Sequence, residues 1–101
     1  MVYQMPQSEI KKLHAAYTAA VEGVDAESEM LVAAESLGYS VEDENDTPNR
    51  ESTGGHVHNI HLVKRETAEN GRVIIHEIWA HCNHPGASLC HHRGEWFCYF
   101  L

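Results

Sequence analysis

Apolar positions in the first quarter of the chain recur with the period of an α-helix. Ile10, Leu13 and Tyr17 are separated by three or four residues, which is the spacing of one face of an amphipathic helix. Ser8 lies just before them and is a suitable N-cap, because its hydroxyl can accept a hydrogen bond from the free N–H groups of the first turn. The pattern predicts a helix over 8–22.

A second helical pattern begins after a very short connection. Asp25 is another suitable N-cap, and acidic residues follow it in the first turn, where the helix dipole favours negative charge. Met30 and Ala34 supply an apolar face, and Gly38 is a plausible stop. We therefore predict a helix over 25–37. Because the connection is so short, we expect the two helices to form an antiparallel hairpin.

The middle of the chain loses its apolar positions. A short edge strand is predicted at 39–41, and residues 42–55 that follow include no apolar side chain that could fix them to a core. Five of these fourteen residues are acidic and two are glycines. Segments of this kind are typical of solvated loops. We predict an acidic loop over 42–55.

The second half is rich in β-branched and aromatic residues, which favour strands. We predict strands over 56–65, 72–82 and 94–101, with an Asn-Gly turn over 66–71 between the first two. A chain of 101 residues fits one domain. The expected architecture over 1–101 is α+β, with the N-terminal helical hairpin packed on a three- to four-stranded antiparallel meander.

Apolar side chains fall on both faces of the predicted sheet. In the middle strand Ile74 and Ile78 lie on one face, while Ile75 and Trp79 lie on the other. An antiparallel sheet with one wet face normally alternates more cleanly. Two helices can cover one face, so we expect a protein partner or a second copy of the chain on the other. The residues expected to contact it are Glu42, Asp43, Glu44, Asp46, Glu51, Trp79, Trp96, Phe97 and Tyr99.

The charge balance narrows the partners. The formal net charge is −8 with histidine neutral, which argues against direct contact with nucleic acid or with an anionic membrane. An acidic regulator could instead mimic nucleic-acid charge at a basic protein site. The sequence has no apolar run of about 20 residues and no recognisable signal peptide, so we expect a cytoplasmic protein. Three cysteines are an odd number, which favours reduced thiols over a disulfide framework.

Histidine is unusually frequent, with nine residues, eight of them from His56 onward. Thiolates and imidazoles are the ligands of structural zinc sites, and a dense group of both lies at the end of the middle strand. Cys82 and His84, the first two candidate ligands, have one residue between them, whereas standard zinc modules have two to four residues between paired ligands. Buried cysteines and solvated histidines are the alternative. The predicted zinc ligands are Cys82, His84, Cys90 and His92, with His91 as a substitute for His92.

A second candidate metal site depends on strand register. If the turn over 66–71 is symmetric, His61 lies opposite His76 on one face of the sheet. An even register for the last hairpin adds Cys98 to that face. The His61–His76–Cys98 cluster requires both registers, and a slip of one residue in either would separate its members.

No catalytic motif is evident, since the sequence has no Gly-rich phosphate loop, nucleophile elbow or paired-carboxylate signature. The pair His56-x-His58 resembles the start of the cupin metal motif, but Leu62 and Val63 stand where that motif has a glutamate. We expect a small non-enzymatic interaction protein, either a homodimer or an inhibitor or regulator of a partner. A protein with structural zinc is the alternative, and a metal-dependent or thiol enzyme is less favoured.

Overall fold

A computed structural model describes residues 2–4, 6–19, 26–48, 55–84 and 98–101. Its two helices precede all but the first of its strands, which confirms the α+β class with N-terminal helices packed on a sheet. The elements in chain order are β1 (Val2–Gln4), α1 (Gln7–Ala19), α2 (Ala26–Ser36), β2 (Ser40–Pro48), β3 (His56–Thr67), β4 (Val73–His84) and β5 (Cys98–Phe100).

The five strands form one mixed sheet in the order β1-β4-β3-β2, with β5 also paired to β4. The β2–β3, β3–β4 and β4–β5 pairs are antiparallel. The β1 strand is parallel to β4, with Val2 opposite Ile74, so the sheet is not the strict meander that was predicted. A strand of three residues is too short to show a sequence period, which explains why β1 was not anticipated.

The acidic segment is a strand over much of its length, not a loop. The predicted loop 42–55 is wrong for residues 42–48, because Ser40–Pro48 pairs with β3 and has one irregularity between Val41 and Asp43. Every residue of β2 is exposed. Backbone pairing to β3 needs no apolar side chain at a sheet edge, and charged side chains are usual on edge strands. Residues 49–54 lie outside the described part of the chain.

The turn between β3 and β4 lies further along the chain than predicted. Thr67 still pairs with Val73, and the Ala68 N–H donates to the Arg72 carbonyl at 2.8 Å. Gly71 has a φ of +81°, in the left-handed region that glycine adopts without strain. The Asn-Gly signature therefore located the turn, but β3 continues two residues into the predicted turn and β4 begins one residue later than predicted.

This position of the turn changes the register on which one predicted site depended. His61 lies opposite Trp79, and His76 lies opposite Lys64. The predicted pairing of His61 with His76 is wrong by three residues along β4. Because that shift is an odd number, His61 and His76 lie on opposite faces of the sheet.

The helices cover the sheet face formed by even-numbered residues of β3 and β4. Leu13 and Met30 from the helices, and Ile60 and Ile78 from the strands, are all 0% exposed. Burial of such side chains contributes roughly 1.5–3 kcal/mol each relative to exposure. The core is completed by Tyr17, Ala26, Ala34, Tyr39, Leu62, Ala80, Cys82 and Cys98.

The opposite face, which we call the open face, carries most of the exposed apolar surface. Seven large apolar side chains of the described residues are exposed. Four of them lie on this face by register, and we group Leu101 with them because it follows Phe100 and its N–H donates to the Trp79 carbonyl. Val63 and Ile75 also lie there but are buried. The five exposed residues are Tyr3, Val73, Trp79, Tyr99 and Leu101.

Neither helix of the described chain is long and apolar enough to cross a membrane.

Candidate metal centre

The first turn of α2 meets one end of the sheet at a group of histidines. Glu27 is the second residue of α2, and the buried Ala26 beside it fixes the start of the helix against the core. His56 and His58 are two residues apart on β3 and so share a face. His84 lies opposite His56 on β4. Helix and strands thus direct one carboxylate and three imidazoles to the same place.

Glu27 contacts two of these imidazoles at once. Its Oε1 lies 2.7 Å from His58 Nδ1, and its Oε2 lies 3.3 Å from His84 Nε2. One ligand atom from each of the three residues falls within 4.8 Å of the others. The side chains are 14% exposed for Glu27 and 20% for each histidine. The group is therefore partly buried but open to solvent on one side.

Two imidazoles and a carboxylate make a chemically suitable donor set for zinc. Zinc takes histidine nitrogen and carboxylate oxygen at about 2.0–2.2 Å, so tetrahedral ligand atoms lie about 3.3–3.6 Å apart. Glu27 lies 2.7 Å from His58, a hydrogen-bond distance shorter than this spacing, and 3.3 Å from His84, which is within it. Small side-chain rotations would bring all three residues around one ion. A His₂Glu set leaves a fourth position open, as in several catalytic zinc sites.

His58 has a further carboxylate on its other ring nitrogen. His58 Nε2 lies 3.1 Å from Glu44 Oε2, which belongs to β2. With a metal on Nδ1, the Nε2–H would donate to Glu44. Metal-binding histidines usually have such a partner, because it fixes the tautomer and the plane of the ring. The acidic edge strand thus contributes to the site that the sequence assigned to other residues.

A second pair of groups supports His84. The His56 ring stacks on the His84 ring, with centroids 4.8 Å apart and planes within 10°. His56 Nε2 in turn lies 3.6 Å from Asp46 Oδ1 on β2. Stacking restricts rotation of the His84 ring, so its nitrogens stay directed toward Glu27.

In the metal-free protein, burial and Glu27 act in opposite directions on the pKa of His58. Burial of the His58 ring disfavours its charged form, but the hydrogen bond with Glu27 and the negative charge of Glu27 outweigh burial. The pKa of His58 is therefore raised above its ordinary value of 6.5. Protonated His58 between two carboxylates is the metal-free counterpart of a metal-bound His58.

The predicted loop zinc set is only partly in this region. His84 is part of the cluster, but Cys82 is bonded to Cys98 in a disulfide. A disulfide sulfur is not a thiolate, so neither cysteine is a zinc ligand in this state. The expectation that both are reduced is corrected by the same bond. The remaining predicted ligands, Cys90, His91 and His92, lie outside the described residues.

The second predicted cluster does not assemble. His61 lies on the open face, stacked on Trp79 with ring centroids 3.7 Å apart, and its Nε2 is 3.3 Å from a carboxylate oxygen of Glu77. His76 lies on the helix-covered face, 2.9 Å from Glu66. Cys98, the third member, is bonded to Cys82 and also lies on the helix-covered face. The register of β3 and β4 separates the group.

The predicted partner-binding residues divide between the edge strand and the open face. On β2, Glu42 pairs with Arg65 at 3.1 Å, while Glu44 and Asp46 face the site histidines and Asp43 Oδ1 accepts a hydrogen bond from the Glu44 N–H. Trp79 is 41% exposed and Tyr99 is 51% exposed, and Tyr99 stacks on His81. Glu51, Trp96 and Phe97 lie outside the described residues.

Glu27 and His58 were not among the metal ligands predicted from the sequence. Glu27 matched the ordinary preference for acidic residues in a first helical turn, which concealed any further role. His56 and His58 did have a recognisable signal, the His-x-His spacing of two side chains on one strand face. Their distance along the chain from Glu27 is about thirty residues, and no local pattern links them.

Comparisons with models of protein families, with curated proteins and with solved structures found no match to this chain. The geometry of the site and of the open face must therefore carry any conclusion about function.

The contact between Glu27 and His58 predicts a titration difference in the metal-free protein. Glu27→Gln removes the negative charge, so the pKa of His58 should fall. Glu29→Gln, in the same helical turn but exposed, should leave it unchanged. Nuclear magnetic resonance titration of the His58 ring protons measures both.

The same contact predicts a pH dependence of stability. Because the folded-state pKa of His58 is raised, its contribution is complete below the unfolded-state value of about 6.5. It is lost as the pH rises through the folded-state pKa. Urea unfolding of metal-free protein should show this loss in the wild type and less of it in Glu27→Gln. Equal His58 titration in both proteins would contradict the assignment.

Proposed function

We propose that this protein binds a divalent metal ion, with zinc as the first choice, through Glu27, His58 and His84. The observation that carries the proposal is the convergence of three ligand atoms within 4.8 Å of one another. They come from a helix and two strands, so the fold itself directs them to one point. The carboxylate of Glu44 on His58 supplies the outer partner that metal-binding histidines usually have.

The bound ion would join α2 to the sheet. Glu27 lies at the start of α2, His58 on β3 and His84 on β4, so one ion connects three elements that are distant in sequence. Ligands that converge only in the folded chain convert binding free energy into folding free energy. In a chain of this size the hydrophobic core is modest, and a structural metal is a common supplement.

The donor set favours zinc over several other ions. Calcium and magnesium prefer all-oxygen sites, which this group is not. Two histidines and a carboxylate also occur in non-haem iron sites. Zinc is the choice here because histidine nitrogen and carboxylate oxygen are among its usual ligands and because it needs no octahedral arrangement.

Zinc binding should stabilise the protein and depend on the three ligands. At zinc concentrations of 100 times Kd, the gain in unfolding free energy should be about 2.7 kcal/mol. Glu44→Gln should weaken binding roughly 10- to 100-fold through loss of the outer partner, and His84→Ala should weaken it more. Isothermal titration calorimetry and thermal unfolding measure the two effects.

Glu29→Gln is the control for this experiment, since like Glu44→Gln it removes one negative charge, in the helical turn that holds Glu27, and it should bind zinc like the wild type. Zinc affinity that His84→Ala does not reduce would place the metal elsewhere. Absence of any stoichiometric zinc binding would exclude the proposal.

We infer a second function, association through the open face, from the distribution of exposed apolar side chains. Five of the seven in the described residues lie on this one face. The occupant we propose is a second copy of the chain, because a two-fold interface places the same apolar stripe against itself. Charged groups on this face already have partners within the chain, His61 with Glu77 and Arg65 with Glu42, so facing a copy leaves few charges unpaired.

The alternative partner is a basic protein, with the acidic strand mimicking nucleic-acid charge. Three of the four acidic side chains of β2 have cationic or imidazole partners within the chain: Glu42 with Arg65, Glu44 with His58 and Asp46 with His56. Less of their charge is therefore free for a partner, which is why we favour self-association. In neither case do we propose contact with nucleic acid or membrane.

A charge at the centre of the open face should weaken self-association. Trp79→Glu should weaken the dimer at least about tenfold, or about 1.4 kcal/mol, because a carboxylate would be buried against apolar groups. Val32→Glu makes the same change at an exposed apolar residue on α2 and should leave the dimer intact. Sedimentation equilibrium at micromolar concentration measures both. A monomeric wild type would exclude the dimer, and a dimer insensitive to Trp79→Glu would place its interface elsewhere.

A further inference from the structure

The disulfide lies in the same row of the sheet as one of the proposed metal ligands. Across the strands, His58 is the partner of Cys82 and Cys82 is the partner of Cys98. All three lie on the helix-covered face. His84 follows Cys82 by two residues on β4 and therefore shares that face. The two sulfurs and the two imidazoles are thus neighbours in one patch of the sheet.

These four residues have the composition of a structural zinc site. Two thiolates and two imidazoles in a tetrahedron are the Cys₂His₂ set. In the oxidised protein the sulfurs are bonded to each other and supply no thiolate. Glu27 then completes the site with its carboxylate instead. The oxidation state of this bond therefore decides whether Cys82 and Cys98 can supply thiolates.

We propose that reduction of the Cys82–Cys98 disulfide changes the ligand set of the metal from Glu27, His58 and His84 to Cys82, Cys98, His58 and His84. The inference rests on the proposed metal-binding function and specifies how that site responds to redox conditions. Zinc would then replace the disulfide as the link between β4 and β5. Glu27 would leave the metal, so the contact between α2 and the sheet end would depend on redox state.

The chemistry balances with a low-molecular-weight thiol as reductant. Two molecules of RSH supply two electrons and two protons. The Cys82–Cys98 bond breaks, two cysteine thiols form, and the reductant leaves as RS–SR. Zinc then binds the two sulfurs as thiolates and displaces both thiol protons to solvent.

The disulfide is buried but has a route to solvent. Cys82 is 1% exposed and Cys98 is 5% exposed. Cys98 also lines a cleft of about 440 Å³ between α1 and β5, together with Ile10, His14 and Phe100. A small thiol entering this cleft would reach the disulfide from the Cys98 side.

The exchange also connects two observations that otherwise conflict. An odd number of cysteines favours a reducing cytoplasm, while the structure pairs two of them. In a reducing compartment, structural disulfides are rare. Zinc on Cys82 and Cys98 would be the dominant form there, and the disulfide form would follow oxidation.

Cobalt is the probe that separates the two ligand sets, because thiolate ligands give it a sulfur-to-metal charge-transfer absorption that nitrogen and oxygen ligands do not give. The protein would carry Cys90→Ser to remove the third thiol, and it would be loaded with Co²⁺ before and after reduction by a water-soluble phosphine. We expect the charge-transfer band only after reduction. Competition with a chromophoric chelator should give at least about tenfold tighter zinc binding in the reduced protein, since exchange of one carboxylate for two thiolates adds one ligand and one negative charge.

Two further variants on the Cys90→Ser background sharpen the result. Cys98→Ser cannot form the disulfide and keeps one thiolate, so about half the charge-transfer intensity should appear with or without reductant. His76→Ala lies on the same sheet face but outside the ligand set and should behave like its parent. If the reduced, metal-free chain loses its helical circular dichroism, zinc should restore it.

The outcomes separate the inference from the function on which it rests. Cobalt bound equally in both states without charge transfer would overturn the ligand exchange and leave the Glu27 site standing. If the reduced, metal-free chain unfolds and zinc does not refold it, the exchange would also be overturned. If cobalt binds neither the oxidised nor the reduced protein, both proposals would be overturned.

Discussion

The antiparallel register between β3 and β4 decides which side chains meet on each face of the sheet. His58 opposite Cys82, and His56 opposite His84, bring imidazoles and sulfur together beneath the start of α2. The same register sends His61 and Trp79 to the open face. Because side chains alternate along a strand, a slip of one residue in a strand would move all its side chains to the opposite face of the sheet. The metal centre and the apolar open face are therefore two consequences of one pairing.

Burial of the central rows holds that register in place. Ile60 and Ile78 are fully buried beneath the helices, and a slipped strand would expose such side chains at roughly 25 cal/mol per Å². Toward the end of the sheet the apolar residues give way to histidines, and α2 begins above them. Glu27 is stable at that position because the helix dipole and His58 both favour its charge. The site lies where the core ends and partial solvent access begins.

Local patterns were sufficient for the elements that have a strong period or a large apolar content. The amphipathic spacing through Leu13 predicted α1, Gly38 marked the end of α2, and the β-branched runs predicted β3 and β4. Gly38 has a φ of +95°, and the Tyr39 N–H donates to the Ala34 carbonyl, as a helix end requires. Period and composition are local properties, so the sequence expresses them directly.

Other features depend on partners that are distant in sequence. The acidic β2 strand is ordered by backbone pairing with β3, which its own side chains do not indicate. The Cys82–Cys98 bond depends on β5 returning to β4, and the number of cysteines suggested the opposite. Glu27 becomes a ligand only because α2 starts above His58 and His84. The loop ligands were predicted from proximity along the chain, whereas the fold selects by proximity across strands.

The central claim is that Glu27, His58 and His84 together hold a metal ion. Anomalous X-ray diffraction at the zinc edge, from crystals of the zinc-loaded protein, tests it most directly. The account predicts one strong anomalous peak within bonding distance of a Glu27 carboxylate oxygen, His58 Nδ1 and His84 Nε2 in the oxidised protein. A zinc peak bound to other residues, or zinc-soaked crystals with no peak between these three side chains, would contradict it.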